Sequence, residues 1–262
     1  MRYAEVSVNA PAAQRQTFSY SIPSELTVDV GQAVYVPFGQ KTGEQLNQIA
    51  GKITRFLIQK HDIQALVIAC NTATVSSLDY LRHNFSIPII GAVPVVKPAC
   101  EQSKNKRIAL LVTAATGNSD YLKNLIRQHA NGAEVKIIVC PGLADLIDAG
   151  DLDAPAVHEV LQRFLAPALE HNADVIGLGC TQYPFLRKQI QNLIPPHVLI
   201  LDSNEPVAKQ VERVIKALPE YTTNNDHVPT YTFYVTKDAP QFCTIAQKLV
   251  GPIVHECIAL TL

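Results

Sequence analysis

The 262-residue chain has almost no net charge, no long apolar run and no clustered metal ligands, and each shortage narrows what it can be. Lysine and arginine number 22 against 23 acidic residues, giving a net charge of −1 and a pI near 6.7. No broad basic face is available for nucleic acid or for an anionic membrane surface, so neither is expected as a partner. No stretch approaches the roughly 20 apolar residues of a membrane span; Ile87 to Val96 is interrupted by Pro88 and Pro94. The opening Met1-Arg2-Tyr3-Ala4-Glu5-Val6 lacks the continuous apolar region of a signal peptide, and cytoplasmic residence is the expectation. The six cysteines are scattered with no Cys-x-x-Cys, and the eight histidines form no His-x-x-x-His pair, so neither zinc nor a disulfide framework is expected. No P-loop, no dinucleotide glycine fingerprint and no lysine in a context suited to pyridoxal phosphate is present, and the expected cofactor is none.

What is present is a globular composition, 47% apolar and 17% charged, in a chain long enough for two modest domains. The most informative stretch is Ala65 to Ser76. Its apolar run, Ala65 to Ala69, reads as a strand buried on both faces because it shows no polar alternation. The run ends at Cys70, and Asn71, Thr72 and Thr74 follow, residue types that open helices and turns. The design recurs at Ala173 to Pro184, where a second apolar run ends at Cys180 and is followed by Thr181. A helical pattern precedes each strand, Gly43 to Lys60 and Pro155 to Glu170. Two related α/β halves are the simplest source of such a repeat.

A thiol at the carboxyl end of a strand sits beside the unpaired N–H groups of the next helix, which favour its thiolate. That edge of an open α/β sheet is also where ligands bind. One such cysteine is more often a small core residue. Two in the same context suit proton transfer at carbon, in which one thiolate removes a proton while one thiol delivers a proton to the opposite face. Asn71, Thr72 and Thr181 would supply hydrogen bonds to an ammonium or carboxylates, and the backbone N–H groups at the helix starts could hold carboxylate oxygens. Thr113, Thr116 and Ser119 fit either a substrate-lining turn or plain helix capping. Asp148 reads as a helix-face carboxylate of low weight, and Tyr183 and Phe185 as core.

Residues 1–36 have a different, all-β texture, with short strands at Tyr3 to Val8, Thr17 to Ile22 and Ala33 to Val36. From Gly43 onward helices and strands alternate. Further strands are expected at Ile87 to Ile90, Arg107 to Thr113, Val135 to Val139, Val198 to Leu201, Tyr231 to Val235 and Val254 to Leu260. Further helices are expected at Leu78 to Asn84, Asp120 to Gln128, Gly142 to Ala149, Pro184 to Asn192, Pro206 to Leu218 and Gln241 to Leu249. Thr116, Gly117 and Asn118 read as a polar turn, and Tyr221 to Asp226 as a loop. The fold class is α/β with mainly parallel sheets.

Five motifs now stand together: Val36-Pro37-Phe38-Gly39, Ala69-Cys70-Asn71-Thr72-Ala73, Thr113 through Tyr121, Gly179-Cys180-Thr181-Gln182-Tyr183-Pro184 and His255-Glu256-Cys257-Ile258-Ala259-Leu260. Through them the chain from about Val36 onward resembles the bacterial glutamate racemase family. The resemblance implies cofactor-independent interconversion of L- and D-glutamate, supplying D-glutamate for peptidoglycan, with Cys70 and Cys180 as paired acid and base. It implies a substrate site lined by Phe38, Gly39, Asn71, Thr72, Thr181 and Gln182, with Thr113 and Thr116 nearby. It also implies two similar α/β domains facing across an active-site cleft, at 36–97 with 208–262 and at 98–207, beyond a short N-terminal β segment at 1–35. Glutamate is the expected partner, and a homodimer is allowed.

Three features depart from that family. Its usual opening strand and Asp-Ser-Gly loop are missing; residues 1 to about 39 instead resemble the start of the primosomal replication-restart helicase, through Tyr3-Ala4-Glu5-Val6, Phe18-Ser19-Tyr20-Ser21-Ile22-Pro23 and Val36-Pro37-Phe38-Gly39. The chain thus reads as spliced, by gene fusion or by an assembly error. Gln182 stands where the family usually has histidine, and an amide cannot share a proton with the neighbouring thiol. Asp148 stands where the family tends to carry glutamate. The first two departures leave open an alternative, a racemase-like protein with little or no turnover that binds a dicarboxylic amino acid or a protein partner. A DNA-contacting N-terminal module is disfavoured, because that segment is short and charge-neutral.

Overall fold

The computed structural model describes residues 2–9, 30–37, 43–219 and 230–261. The chain divides into two compact units, Met1–Ala92 with Asn204–Leu262, and Val93–Ser203. The first contains β1 (Arg2–Asn9), β2 (Val30–Pro37), α1 (Gly43–His61), β3 (Ala65–Ile68), α2 (Asn71–Asn84) and β4 (Ile89–Gly91). The second contains α3 (Val96–Gln102), β5 (Arg107–Val112), α4 (Ala114–Asn118), α5 (Asp120–His129), β6 (Glu134–Val139), α6 (Leu143–Asp148), α7 (Pro155–Glu170), β7 (Val175–Gly179), a 3₁₀ turn (Tyr183–Leu186), α8 (Arg187–Leu193) and β8 (Leu199–Leu201). The chain then returns to the first unit with α9 (Asn204–Lys216), β9 (Thr230–Val235), α10 (Ala239–Val250) and β10 (Cys257–Ala259).

Among the described residues every strand pairing is parallel, as the alternation of helices and strands predicts. The first sheet has the order β10-β9-β2-β1-β3-β4 and the second the order β6-β5-β7-β8. The two strands of the N-terminal β texture join the first sheet. β1 lies between β2 and β3, with Val6 opposite Ile68, and β2 bridges to β9. Thr17 to Ile22 and Tyr221 to Asp226 lie outside the described residues.

The central strands β3, β5 and β7 are buried on both faces, which is why they show no polar alternation. In β3, Leu66 and Ile68 pack with Ile53 and Leu57 of α1 and Leu81 of α2, while Ala65 and Val67 pack with Val207 of α9 on the opposite face. In the second unit Ala109, Leu111, Ile176 and Leu178 pack against Leu161 and Leu165 of α7. Ile108, Leu110 and Val175 face the other way, onto Val96, Ala99 and Leu122 of α3 and α5. The strands lie close together where side chains are absent: a Cβ on Gly179 would stand 2.7 Å from Val112 Cγ1 and 3.1 Å from the Leu111 carbonyl oxygen.

Local differences from the sequence expectations have physical causes. α2 begins at Asn71, well before Leu78, because its first two turns are polar yet buried and so carry no hydrophobic period. The Thr116-Gly117-Asn118 turn is part of the one-turn helix α4, which Thr113 caps. α6 is closed by Gly150 at φ 74°, a left-handed position that glycine occupies at no steric cost.

Candidate active site

Cys70 continues the β3 face formed by Leu66 and Ile68, and it joins the same apolar cluster beneath α1. It is the N-cap of α2, in extended backbone (φ −152°, ψ 124°), and its carbonyl accepts from Thr74 N–H at 2.8 Å. Thr74 donates its hydroxyl to Ile68 O at 3.2 Å, tying the first turn of α2 to the end of β3. Asn71 and Thr72 are 2% and 4% exposed. Among the described residues neither the amide oxygen nor the amide nitrogen of Asn71 has a hydrogen-bond partner. A buried amide left in that state normally marks a place where a ligand or water completes the bonding. Phe38 and Gly39 lie outside the described residues.

Cys180 stands in the equivalent place of the second unit. It continues the β7 face of Ile176 and Leu178 and joins the cluster beneath α7. β5 and β7 pair with Val112 opposite Gly179, so Thr113 and Cys180 each follow directly on the same sheet edge. Thr113 caps α4, accepting from Thr116 N–H at 3.3 Å and donating to Thr116 Oγ1 at 3.1 Å. Ser119 caps α5, accepting from Leu122 N–H at 3.2 Å. The threonine turn therefore has a capping role, and Thr116 is wholly buried. Cys180 is not a helix N-cap: a turn through Thr181 and Gln182 leads to the 3₁₀ turn, with Tyr183 N–H donating to Cys180 O at 3.1 Å.

Behind Cys180 the structure assembles a group that periodicity does not reveal. The thiol lies 3.8 Å from Gln182 Oε1, in donor geometry, and Gln182 Nε2 donates to Asp148 Oδ1. Gln182 is 0% and Asp148 3% exposed, so Asp148 is an interior carboxylate and not one on an outer helix face. Its position beside Ile147 and five residues after Leu143 places it at the margin of the buried stripe of α6, where spacing alone decides nothing. Tyr183, fully buried, donates to Cys140 O at 3.4 Å. Burial, then the nearby Cys180, Cys140 and Asp145, push its phenol well above its ordinary range, so it stays a neutral donor. Burial also pushes the Cys140 thiol up to about 12 and raises Cys100, which keeps both as inert core thiols. None of the six cysteines is joined in a disulfide. Among the described residues no group of three or more His, Cys, Asp or Glu side chains could hold a metal ion, and no helix is long and apolar enough to cross a membrane.

Each of the two α/β units ends a central strand in a buried thiol next to buried polar residues. The model of the Asp/Glu/hydantoin racemase family matches residues 12–211. A glutamate racemase of Herpetosiphon aurantiacus is 36% identical over 196 residues, 75% of this chain and 77% of that protein. One from Pseudomonas aeruginosa is 38% identical over 197 residues, 75% of this chain and 74% of that protein. The crystal structure of Escherichia coli glutamate racemase with L-glutamate and the activator UDP-MurNAc-Ala shares the fold, with a TM-score of 0.79 at 21% identity over 100% of both chains. The chain belongs to the Asp/Glu/hydantoin racemase family and is an amino-acid racemase.

Proposed function

We propose that the protein interconverts L- and D-glutamate without a cofactor, and that it acts in the cytoplasm to supply D-glutamate for peptidoglycan. Cys70 and Cys180 serve as the acid and base at the α-carbon: the thiolate of one removes the α-proton, the thiol of the other returns a proton to the opposite face, and the roles exchange with direction. The observation that carries this reading is the equivalent placement of the two thiols, each extending the α1- or α7-facing side of a central strand. The names of the relatives support glutamate as the substrate. The N-terminus of α2, a helix of 14 residues, offers N–H groups to a carboxylate. Asn71, Thr72 and Thr181, all buried, would add hydrogen bonds to the ammonium and carboxylates.

A second reading, a racemase-like binder without turnover, is favoured by one observation: Cys180 faces an amide that cannot take up its proton. Incorporation of solvent deuterium at the α-carbon of L- and D-glutamate, offered separately, decides between the two. Exchange that disappears in Cys70→Ser and in Cys180→Ser establishes the two-thiol reaction. A folded protein that exchanges neither enantiomer is the binder. For residues 1 to about 39, the likeness to the helicase start supports a splice, by gene fusion or by an assembly error, whose strands fill the positions beside β3; a single uninterrupted genomic read that carries this same sequence across codons 30–45 would refute the assembly error.

A further inference from the structure

The bonds behind Cys180 carry directional information. A primary amide presents an acceptor at one end and donors at the other, so the end that faces a thiol favours one of its protonation states. A carboxylate only accepts, so the end of Gln182 next to Asp148 must be Nε2, as observed. The remaining end, Oε1, is then obliged to face Cys180, which it does at 3.8 Å. A carbonyl oxygen accepts from S–H and repels a thiolate. The Cys140 thiol after β6, the Tyr183 phenol on the same turn and Asp145 on α6 lie at this corner as well.

We propose that Asp148 is a positioning residue that locks the Gln182 amide with its oxygen toward Cys180, holding Cys180 as the thiol in the resting protein and leaving Cys70 as the resting base. This deepens the racemase reading above and rests on it. An imidazole at position 182 could switch between donor and acceptor as its proton moves. The locked amide cannot. The resting protein is therefore ready for the enantiomer whose α-hydrogen meets Cys70, and the other enantiomer must wait for the minor form in which the proton has moved.

The test is the pH dependence of iodoacetamide alkylation in the full-length chain, read by peptide mass spectrometry so that each cysteine gives its own midpoint. In the unaltered protein the Cys180 midpoint is expected above that of Cys70; the reverse order overturns the proposal and needs no variant. In Asp148→Asn the new amide can donate to Gln182 Oε1, which frees Nε2 to turn toward the sulfur. The Cys180 midpoint should then fall by about one pH unit, about a tenfold gain in reactivity below it, with Cys70 unmoved. Because this substitution also removes a charge, it is repeated in a Gln182→Leu background, where there is no amide to turn. A shift less than about half as large is expected there. An equal shift in both backgrounds, or no shift in either, refutes the lock, whereas Asp148→Glu, which keeps the acceptor, should restore the original midpoint. Alkylation does not depend on turnover. Lack of α-deuterium exchange with the midpoint order intact sinks the glutamate reading alone; exchange with the order reversed sinks the lock alone.

Discussion

Replacing Asn71 with leucine should make the protein more stable and worse at binding. The amide is 2% exposed, and neither of its polar atoms is hydrogen-bonded among the described residues. A buried polar group in that condition costs about 1–3 kcal/mol, and a side chain of nearly the same shape without polar atoms removes that cost. Taking the low end, because the tetrahedral Cγ and bulkier methyl groups at the start of α2 need some repacking, the gain is about 1 kcal/mol. For a protein of this size that raises the melting temperature by about 2–4 °C. The same change deletes the bonds that a charged substrate group would complete. Losing one charge-assisted hydrogen bond is worth about 1.5–3 kcal/mol, a weakening of about 10- to 150-fold. Thermal unfolding with and without L-glutamate reads both effects, since a ligand stabilises in proportion to the logarithm of its concentration over Kd. The variant should melt higher alone and lose most of the glutamate-induced shift. A variant that melts lower, or keeps the full shift, would refute the view that this amide is held open for substrate.

Gly179→Ala would place a methyl group 2.7 Å from Val112 Cγ1, so β7 must move away from β5; a loss of about 1–3 kcal/mol is expected in a denaturant titration, with slower α-exchange because Cys180 moves too. Gln182→His should speed deprotonation from the Cys180 side by about tenfold or more, given that a well-placed proton-transfer group contributes roughly 10²–10⁴. L- and D-glutamate have equal free energies, so kcat/KM stays equal in the two directions; the asymmetry is read from kcat alone and from substrate α-exchange, and an unchanged exchange rate would count against the idea. Asp174 sits where burial would raise its carboxyl, but the Ser103 hydroxyl at 2.5 Å and the N–H groups of Lys104 and Asn105 at 2.7 and 3.0 Å hold it below its ordinary value. A folded-state pKa lowered in this way stabilises above the unfolded value, about 3.9, and that contribution disappears as the pH falls through the folded one. Asp174→Asn should therefore melt lower than the parent at pH 7 and converge with it below about pH 4; a gap independent of pH would show that the carboxylate charge is not what matters.

The elements with a regular apolar period were readable from the sequence almost to the residue: α7 over Pro155–Glu170, α5 from Asp120, and the buried runs that became β3, β5 and β7. The two thiols were readable because an uninterrupted apolar run that stops at cysteine before polar residues is a local signal, and it occurs twice. What could not be read is non-local. Nothing in Tyr3 to Val8 or Ala33 to Val36 says that their strands lie parallel and extend the sheet of β3, since period 2 reports a strand and not its neighbour. The pairing of Gln182 with Asp148 links side chains 34 positions apart, and both belong to polar types that pattern reading assigns to the surface. Buried polar residues are also why α2 began earlier than its period suggested.

The interruption of the first unit has a consequence for how the protein is made. The chain leaves that unit at Ala92 and re-enters it at Asn204, so the second unit is one unbroken segment and the first is not. On a ribosome the second unit can acquire its whole four-stranded sheet while the first still lacks β9 and β10. Until those last strands emerge, β2 presents an unpaired edge to its surroundings, the kind of surface that recruits foreign strands. Closure of the first sheet joins segments from opposite ends of the chain, which makes it the slow, late event of folding. A nascent chain stalled just before Thr230 should accordingly hold a finished second unit and an unfinished first one.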